Sequence, residues 1–406
     1  MVAVAQHHVG GLRRGRIETG RDLRTHQARA TATGTLALLA ALVFVTPAAA
    51  EPYLAVRAGA KCSDCHTNLS GGGKRTSFAT IHSHDVLHDL DLIPIPAGVR
   101  PFNGEVTDWF SLGADLRVRN TYAFKDQPNA KGRVRNDRFF RDDLESVEID
   151  MERTTLYSQL DLWPDMLTFY TDVQLAPGGA NARELFGLLN NTLQWGIYIK
   201  AGRFFPTYGI RIEDDTSFIR SQTGFTFDNP DDGAEIGIIR GPLYAGFSVT
   251  NGISGDKDVL LTANSYLLFD DVPYLQNVLA GASFARQSSD RYESSFYAGA
   301  NFWRFTYLAE VDIITDDDPA TSPHDHLAAY AEVDLLLFNW LNVRGTFDFV
   351  KVQGDNDQNR FGIGLEPFIS RFLQPRLVYQ ASNGPRHDPE GIYNNADLFL
   401  ELHVFF

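Results

Sequence analysis

Cysteine and methionine are scarce in this 406-residue chain, with two and three copies, and no apolar run reaches the length of about eighteen residues that a membrane-crossing helix needs. The first shortage excludes a disulfide-knit scaffold, and the missing run excludes a helical membrane bundle. Positive charge is also short. Lys and Arg number 36 against 51 Asp and Glu, giving −15, so phosphate backbones are poor partners and no nucleic acid is expected. What is abundant is aromatic and glycine content, with 29 Phe, 15 Tyr and 34 Gly in a chain that is 44% hydrophobic. That composition excludes a disordered polymer and, lacking a Gly-X-Y period, a collagen.

Residues 1–50 read as an export signal. Six arginines between Arg13 and Arg29 precede the apolar run Leu36 to Val45, and Pro47-Ala48-Ala49-Ala50 then meets Glu51. A basic region, an apolar stretch of roughly ten residues and an Ala-x-Ala end form a secretory signal peptide, cleaved after Ala50. Arg13-Arg14 has little support around it as a folded-export signal, so unfolded, Sec-type export is expected. Removing this segment takes the charge from −15 to about −19, an acidic exported product.

Both cysteines fall in Cys62-Ser63-Asp64-Cys65-His66. That spacing is the one of covalent c-type haem attachment: two thiols add to the two vinyl groups of one haem c, and His66 ligates the iron from the proximal face. A redox-active dithiol of thioredoxin type has the same Cys spacing but expects a surrounding βαβ pattern, which is absent here. For the distal ligand, Met1 leaves with the signal, while Met151 and Met166 fall in the later strand region, Met151 on its apolar side. His82, His84 and His88 lie close enough behind the motif to fold back over it, and His82 is the first candidate distal ligand. Gly71-Gly72-Gly73-Lys74-Arg75 reads as a flexible turn whose cations either pair with haem propionates or are merely solvated.

The segment 51–103 has too few large apolar side chains to enclose a haem by itself, so it is expected to lean on the remainder of the chain, with Pro94, Pro96 and Pro101 marking an extended linker. Beyond the linker the chain alternates. Phe110, Leu112, Ala114, Leu116 and Val118 form one face of a strand; Leu167 to Leu175, Leu193 to Ala201, Leu243 to Val249, Phe305 to Ile313 and Leu341 to Phe349 repeat the pattern. Charged residues such as Arg117, Asp172, Lys200, Asp312 and Arg344 sit mid-strand on the opposite face. Strands of about ten residues with one apolar and one polar face fit a barrel with lipid outside and water inside. Leu398, Leu400, Leu402, Val404 and Phe406 carry the alternation to the last residue. The predicted fold is all-β: residues 104–406 form a transmembrane antiparallel β-barrel of 14 or 16 strands, and the helix/coil haem segment is its plug.

Trp163-Pro164-Asp165 reads as a short periplasmic turn, and Lys125–Asp142 and Asp316–His326 as long outer loops. Asp316-Asp317-Asp318 and His324-Asp325-His326 either attract cationic metal donors or form an ordinary solvated loop. Phe204–Asp232 resists assignment. Simple alternation of sides puts it in the periplasm, so either a strand is missed or it folds into the lumen, where Arg211 and Arg220 would approach the haem.

An export signal, one C-x-x-C-H near the mature N-terminus and a porin-like barrel ending in an aromatic strand resemble the fused monohaem cytochrome–porin family, whose best-known members are bacterial iron(II) oxidases. The likeness rests at residue level on Cys62, Cys65, His66 and the closing strand. It implies a plug that passes electrons across the outer membrane of a Gram-negative bacterium, a soluble cytochrome as periplasmic partner, and extracellular Fe(II) as a candidate donor for an oxidoreductase. The alternative is a diffusion porin in which the haem segment is a structural plug or redox sensor. A haem peroxidase needs an open iron position and a distal acid–base pair, and nothing in the sequence demands one. Mass spectrometry of the exported chain is expected to place its N-terminus at Glu51; a mature product that retains residues 1–50 refutes the signal.

Overall fold

The computed structural model describes residues 51–80, 90, 92, 102–125, 139–141, 143–164, 166–176, 179–192, 195–252, 259–287, 291–316, 325–352, 357–370, 372–384 and 394–406. After a three-residue lead-in, β1 (Glu105–Thr107), sixteen antiparallel strands run from β2 (Phe110–Lys125) to β17 (Asn395–Phe405). Each pairs with its neighbour in the chain, and β17 returns to β2 in register from Asn395↔Lys125 to Phe405↔Asp115, which closes the cylinder. Of the two strand numbers expected, sixteen is the one observed.

Period-two alternation decides the two faces. Outward positions stay open to the surroundings, as at Phe247 (45% exposed), Ile313 (49%) and Leu400 (44%), whereas the inward Asp172, Asp312 and Lys200 are almost fully enclosed. An apolar outer wall around a polar interior is the arrangement that lipid requires. Met151 points outward, as expected from its strand face, and Met166 sits in the turn between β3 (Leu144–Trp163) and β4 (Leu167–Ala176). All five tryptophans lie at the same, short-turn end: Trp163 closes β3, and Trp109, Trp195, Trp303 and Trp340 sit in turns. Indole rings favour the boundary between headgroups and hydrocarbon, so this ring marks one membrane interface.

The stretch that resists assignment is now explained by both alternatives together. A strand is missed by reading alternation alone: β5 (Gly179–Thr192) turns back from β4 and feeds β6 (Ile197–Phe204), whose first residue lies beyond the apolar Leu193 and Trp195 counted into it from sequence. That extra crossing moves the connection to β7 (Asp231–Arg240) to the long-loop end, not the periplasmic end. The connection also folds inward. Ile210 N–H donates to Glu310 Oε2 at 2.7 Å, Gly209 N–H to Ser283 Oγ at 2.9 Å, and Arg360 reaches Asp214 at 2.8 Å, so the loop spans the lumen to the far wall. Phe406 lies one residue past β17, where its N–H and C=O still exchange hydrogen bonds with Ala114 at 3.1 and 3.2 Å, and its ring is 5.5 Å from that of Phe102.

Mid-strand outward positions meet hydrocarbon. Leu400→Lys is expected to destabilise the barrel by roughly 2–4 kcal/mol in vesicle unfolding experiments; a change near zero refutes a lipid-facing β17.

Candidate functional site

The N-terminal segment lies inside the barrel. Helix α1 (Pro52–Ala58) starts on a proline and stops at Gly59, whose φ of +64° and N–H bond to Val56 O form a left-handed cap. Tyr53 and Val56 are buried against the wall, Asn277 Nδ2 donates to Arg57 O at 2.9 Å, and Arg57 donates to Arg304 O at 2.7 Å. Glu51 ahead of the helix pairs with Arg344 and Arg376 of the wall.

One turn of helix, α2 (Cys62–Cys65), carries the two thiols. The Lys61 N–H donates to the Asp64 carboxylate at 2.8 Å, which fixes its start, and His66 N–H donates to Cys62 O at 2.9 Å. The chain then doubles back: Thr67 N–H bonds Lys74 O at 3.0 Å, and Thr76 N–H bonds Cys65 O at 3.0 Å, so His66 and Arg75 stand opposite each other as a β-bridge. The return is made by Gly71, Gly72 and Gly73 at φ of +96°, +81° and +69°, a left-handed run that only glycine adopts without strain. At Gly73 a side chain is also excluded by space, since a Cβ would lie 2.2 Å from Tyr170 Oη. The fully buried Asn68 locks this turn to the wall, donating to Glu184 Oε1 at 2.7 Å and accepting from Lys200 Nζ at 3.2 Å.

Between this plug and the inward loop lies a cavity of about 360 Å³. Cys62, Cys65 and His66 all line it, facing tyrosines 157, 244, 266 and 297 from the strands and Ile210 and Phe227 from the loop. Burial raises the Cys62 thiol and takes the Cys65 thiol up to about 11. Burial and then the neighbouring Arg75 push the His66 imidazole down to about 4, so it is neutral at physiological pH, the state in which a ring nitrogen can bind a metal. Its Nδ1 is buried without a hydrogen-bond partner.

The cavity wall is rich in arginine, and the partners differ. Arg117 bonds Asp115 at 2.8 Å and Arg183 bonds Asp172 at 2.8 Å. Three others have no carboxylate partner among the described residues: Arg75 lies 3.7 Å over the Phe405 ring, Arg153 faces Phe227 at 5.1 Å, and Arg211 donates to the carbonyls of Gly71, Phe205 and Pro206 at 2.9–3.2 Å. A mostly apolar, aromatic chamber with two thiols, a neutral imidazole and three unneutralised guanidinium groups suits a planar aromatic group bearing two acidic tails.

The expected site residues thus divide. Cys62, Cys65, His66 and Arg75 come together; Lys74 turns away, bonding Arg75 O at 3.0 Å and Gln159 Oε1 at 3.2 Å. Of the two loop arginines, Arg211 reaches the cavity, whereas Arg220 is buried against Glu310 at 2.8 Å and does not line it. His82, His84 and His88 lie outside the described residues, as do Asp317, Asp318 and His324 of the acidic loop, while His326 bonds Gln222 Oε1 at 2.7 Å. Periodicity and motif spacing passed over Arg153 and His403, both on the cavity wall. For His403 the signal was present: Glu401, His403 and Phe405 are the inward set of the strand whose outward set was counted.

No protein-family model matches the sequence, and no curated protein matches it. Solved structures do match in shape. OmpT of Vibrio cholerae is 11% identical with a TM-score of 0.53, over 74% of this chain and 99% of that one. The outer membrane channel DcaP of Acinetobacter baumannii gives 11% and 0.51 over 73% and 97%, and an anion-selective porin from Comamonas acidovorans 12% and 0.51 over 73% and 99%.

Removing the Asn68 side chain takes the plug partner from Glu184 and leaves Lys200 with Ser70 Oγ of the plug at 3.3 Å. Asn68→Ala is expected to cost about 1–3 kcal/mol of plug docking, read as faster hydrogen exchange and proteolysis within 62–80 while the barrel bands stay unchanged; equal exchange in both proteins refutes the lock. At this level of identity the likeness is one of architecture: the chain has the fold of the outer-membrane porins.

Proposed function

We propose that this protein is an outer-membrane electron conduit: a porin-like barrel whose plug carries one haem c bound through Cys62 and Cys65, with His66 as the proximal ligand. The observation that carries the reading is that the C-x-x-C-H residues line a chamber enclosed between the plug and the inward loop, inside the barrel. The group, when bound, supplies reversible one-electron chemistry at iron. The residues around it supply the rest. His66 offers a neutral nitrogen, and Arg75, Arg153 and Arg211 offer charge to acidic tails that would otherwise be costly to bury. Plug and inward loop place side chains around the cavity within the lumen, and a haem held there would shorten the path of an electron across a hydrocarbon layer of about thirty ångströms.

The donor and acceptor are read from either end. A soluble periplasmic cytochrome suits the short-turn end, and extracellular Fe(II) is the donor favoured by the acidic stretch Asp316–His326. This makes the protein an oxidoreductase in the sense of electron transfer, as in the cytochrome–porin family it resembles.

A second reading is a diffusion porin in which the haem segment is a structural plug or redox sensor, favoured by the likeness in fold to a channel and an anion-selective porin. Three measurements test these readings, and conductance separates the two. Detergent-extracted protein is expected to give a pyridine haemochrome that is lost in Cys62→Ala/Cys65→Ala. Reconstituted vesicles are expected to pass electrons between trapped and external redox couples, with little conductance in planar bilayers. An open pore, or protein without porphyrin, refutes the conduit. In stopped-flow spectra Fe(II) is expected to reduce the haem; reduction by dithionite alone removes Fe(II) as donor.

A further inference from the structure

We propose that His403, not a residue of the plug, is the second axial ligand of the iron, an assignment that rests on the cytochrome reading above. His403 lies on β17 two residues from its end, faces the lumen, is 2% exposed and lines the same cavity as His66. Among the described residues these are the two imidazoles of that cavity, and no thioether competes, since Met151 faces outward and Met166 lies in a turn.

Its hydrogen bonding is incomplete in a way that a structural histidine rarely is. Nδ1 is buried without a hydrogen-bond partner. Nε2 lies 3.1 Å from Asp115 Oδ1, and Asp115 is in turn held by Arg117 at 2.8 Å. A carboxylate beside the imidazole is the usual outer support of a metal-bound histidine.

The two histidines are also linked through contacts. His66 bridges to Arg75, the Arg75 guanidinium lies 3.7 Å over Phe405, and the Phe405 ring is 4.6 Å from that of His403. A wall-borne ligand ties the plug to the barrel through the iron. Iron ligation therefore depends on barrel closure, because β17 reaches its place only when it pairs with β2.

Full-length protein extracted with its own haem tests this by electron paramagnetic resonance and near-infrared magnetic circular dichroism of the ferric form. Wild type is expected to show a low-spin, two-imidazole spectrum. His403→Ala is expected to become high-spin and to return to low-spin with added imidazole, while His82→Ala keeps the wild-type spectrum. If the alanine variant does not form a barrel, judged by heat-modifiable gel migration, His403→Met is read instead: a thioether in the iron's coordination raises the reduction potential, and an unchanged potential overturns the assignment. A two-imidazole spectrum that survives His403→Ala, or disappears in His82→Ala, overturns it while leaving the haem reading intact. Protein with no pyridine haemochrome sinks both.

Discussion

A backbone surrounded by hydrocarbon has no water to bond, so every N–H and C=O of the wall must find a partner in the wall. The β17–β2 pairing meets that condition for the last open edge. Closure dictates the rest. With side chains alternating between two faces, lipid takes one of them, and all charge and chemistry is driven into the lumen. Asp172, Glu184, Lys200, Glu310 and Asp312 are buried there because they point inward, not because an apolar core accepts them.

A polar lumen cannot hold a plug by hydrophobic burial alone, and here charge does much of the holding. Arg376 of the wall pairs with Glu51 ahead of the plug helix, with Glu213 of the inward loop and, at 3.2 Å, with Glu401 of its neighbour strand. One guanidinium thus touches both inserts. Arg344 joins Glu51 to Glu366 at 3.1 Å and Asp334 at 3.4 Å. Buried ion pairs of this kind add little net stability, but a missing partner strands a charge, so they favour one seating of plug and loop over the others.

Against that background the cavity is unusual in what it leaves unpaired. Arg117, Arg183, Arg220, Arg344, Arg360 and Arg376 meet carboxylates; Arg75, Arg153 and Arg211, beside Cys62, Cys65 and His66, have none among the described residues. The glycine turn explains why Arg75 is there at all, since three left-handed residues fold the chain back until Arg75 stands against His66. Porin-like architecture and the motif are therefore complementary: the barrel provides surrounding walls, and the short segment brings reactive residues too few to build them.

Periodicity alone determined the lipid face, the mid-strand charges that line the lumen, the closing strand and the Cys62-Cys65-His66 motif, because each depends on spacing along the chain. It did not reveal β5, whose Ala182-Arg183-Glu184 segment breaks clean alternation with a register shift opposite Asp172 and Val173. Nor did it reveal that Arg211 and not Arg220 reaches the cavity, that Lys74 turns aside, or that Arg153 and His403 stand on its wall. Those are matters of which strand ends meet across a cylinder, and residues hundreds of positions apart, such as His66 and His403, share a chamber only once sixteen strands have closed around it.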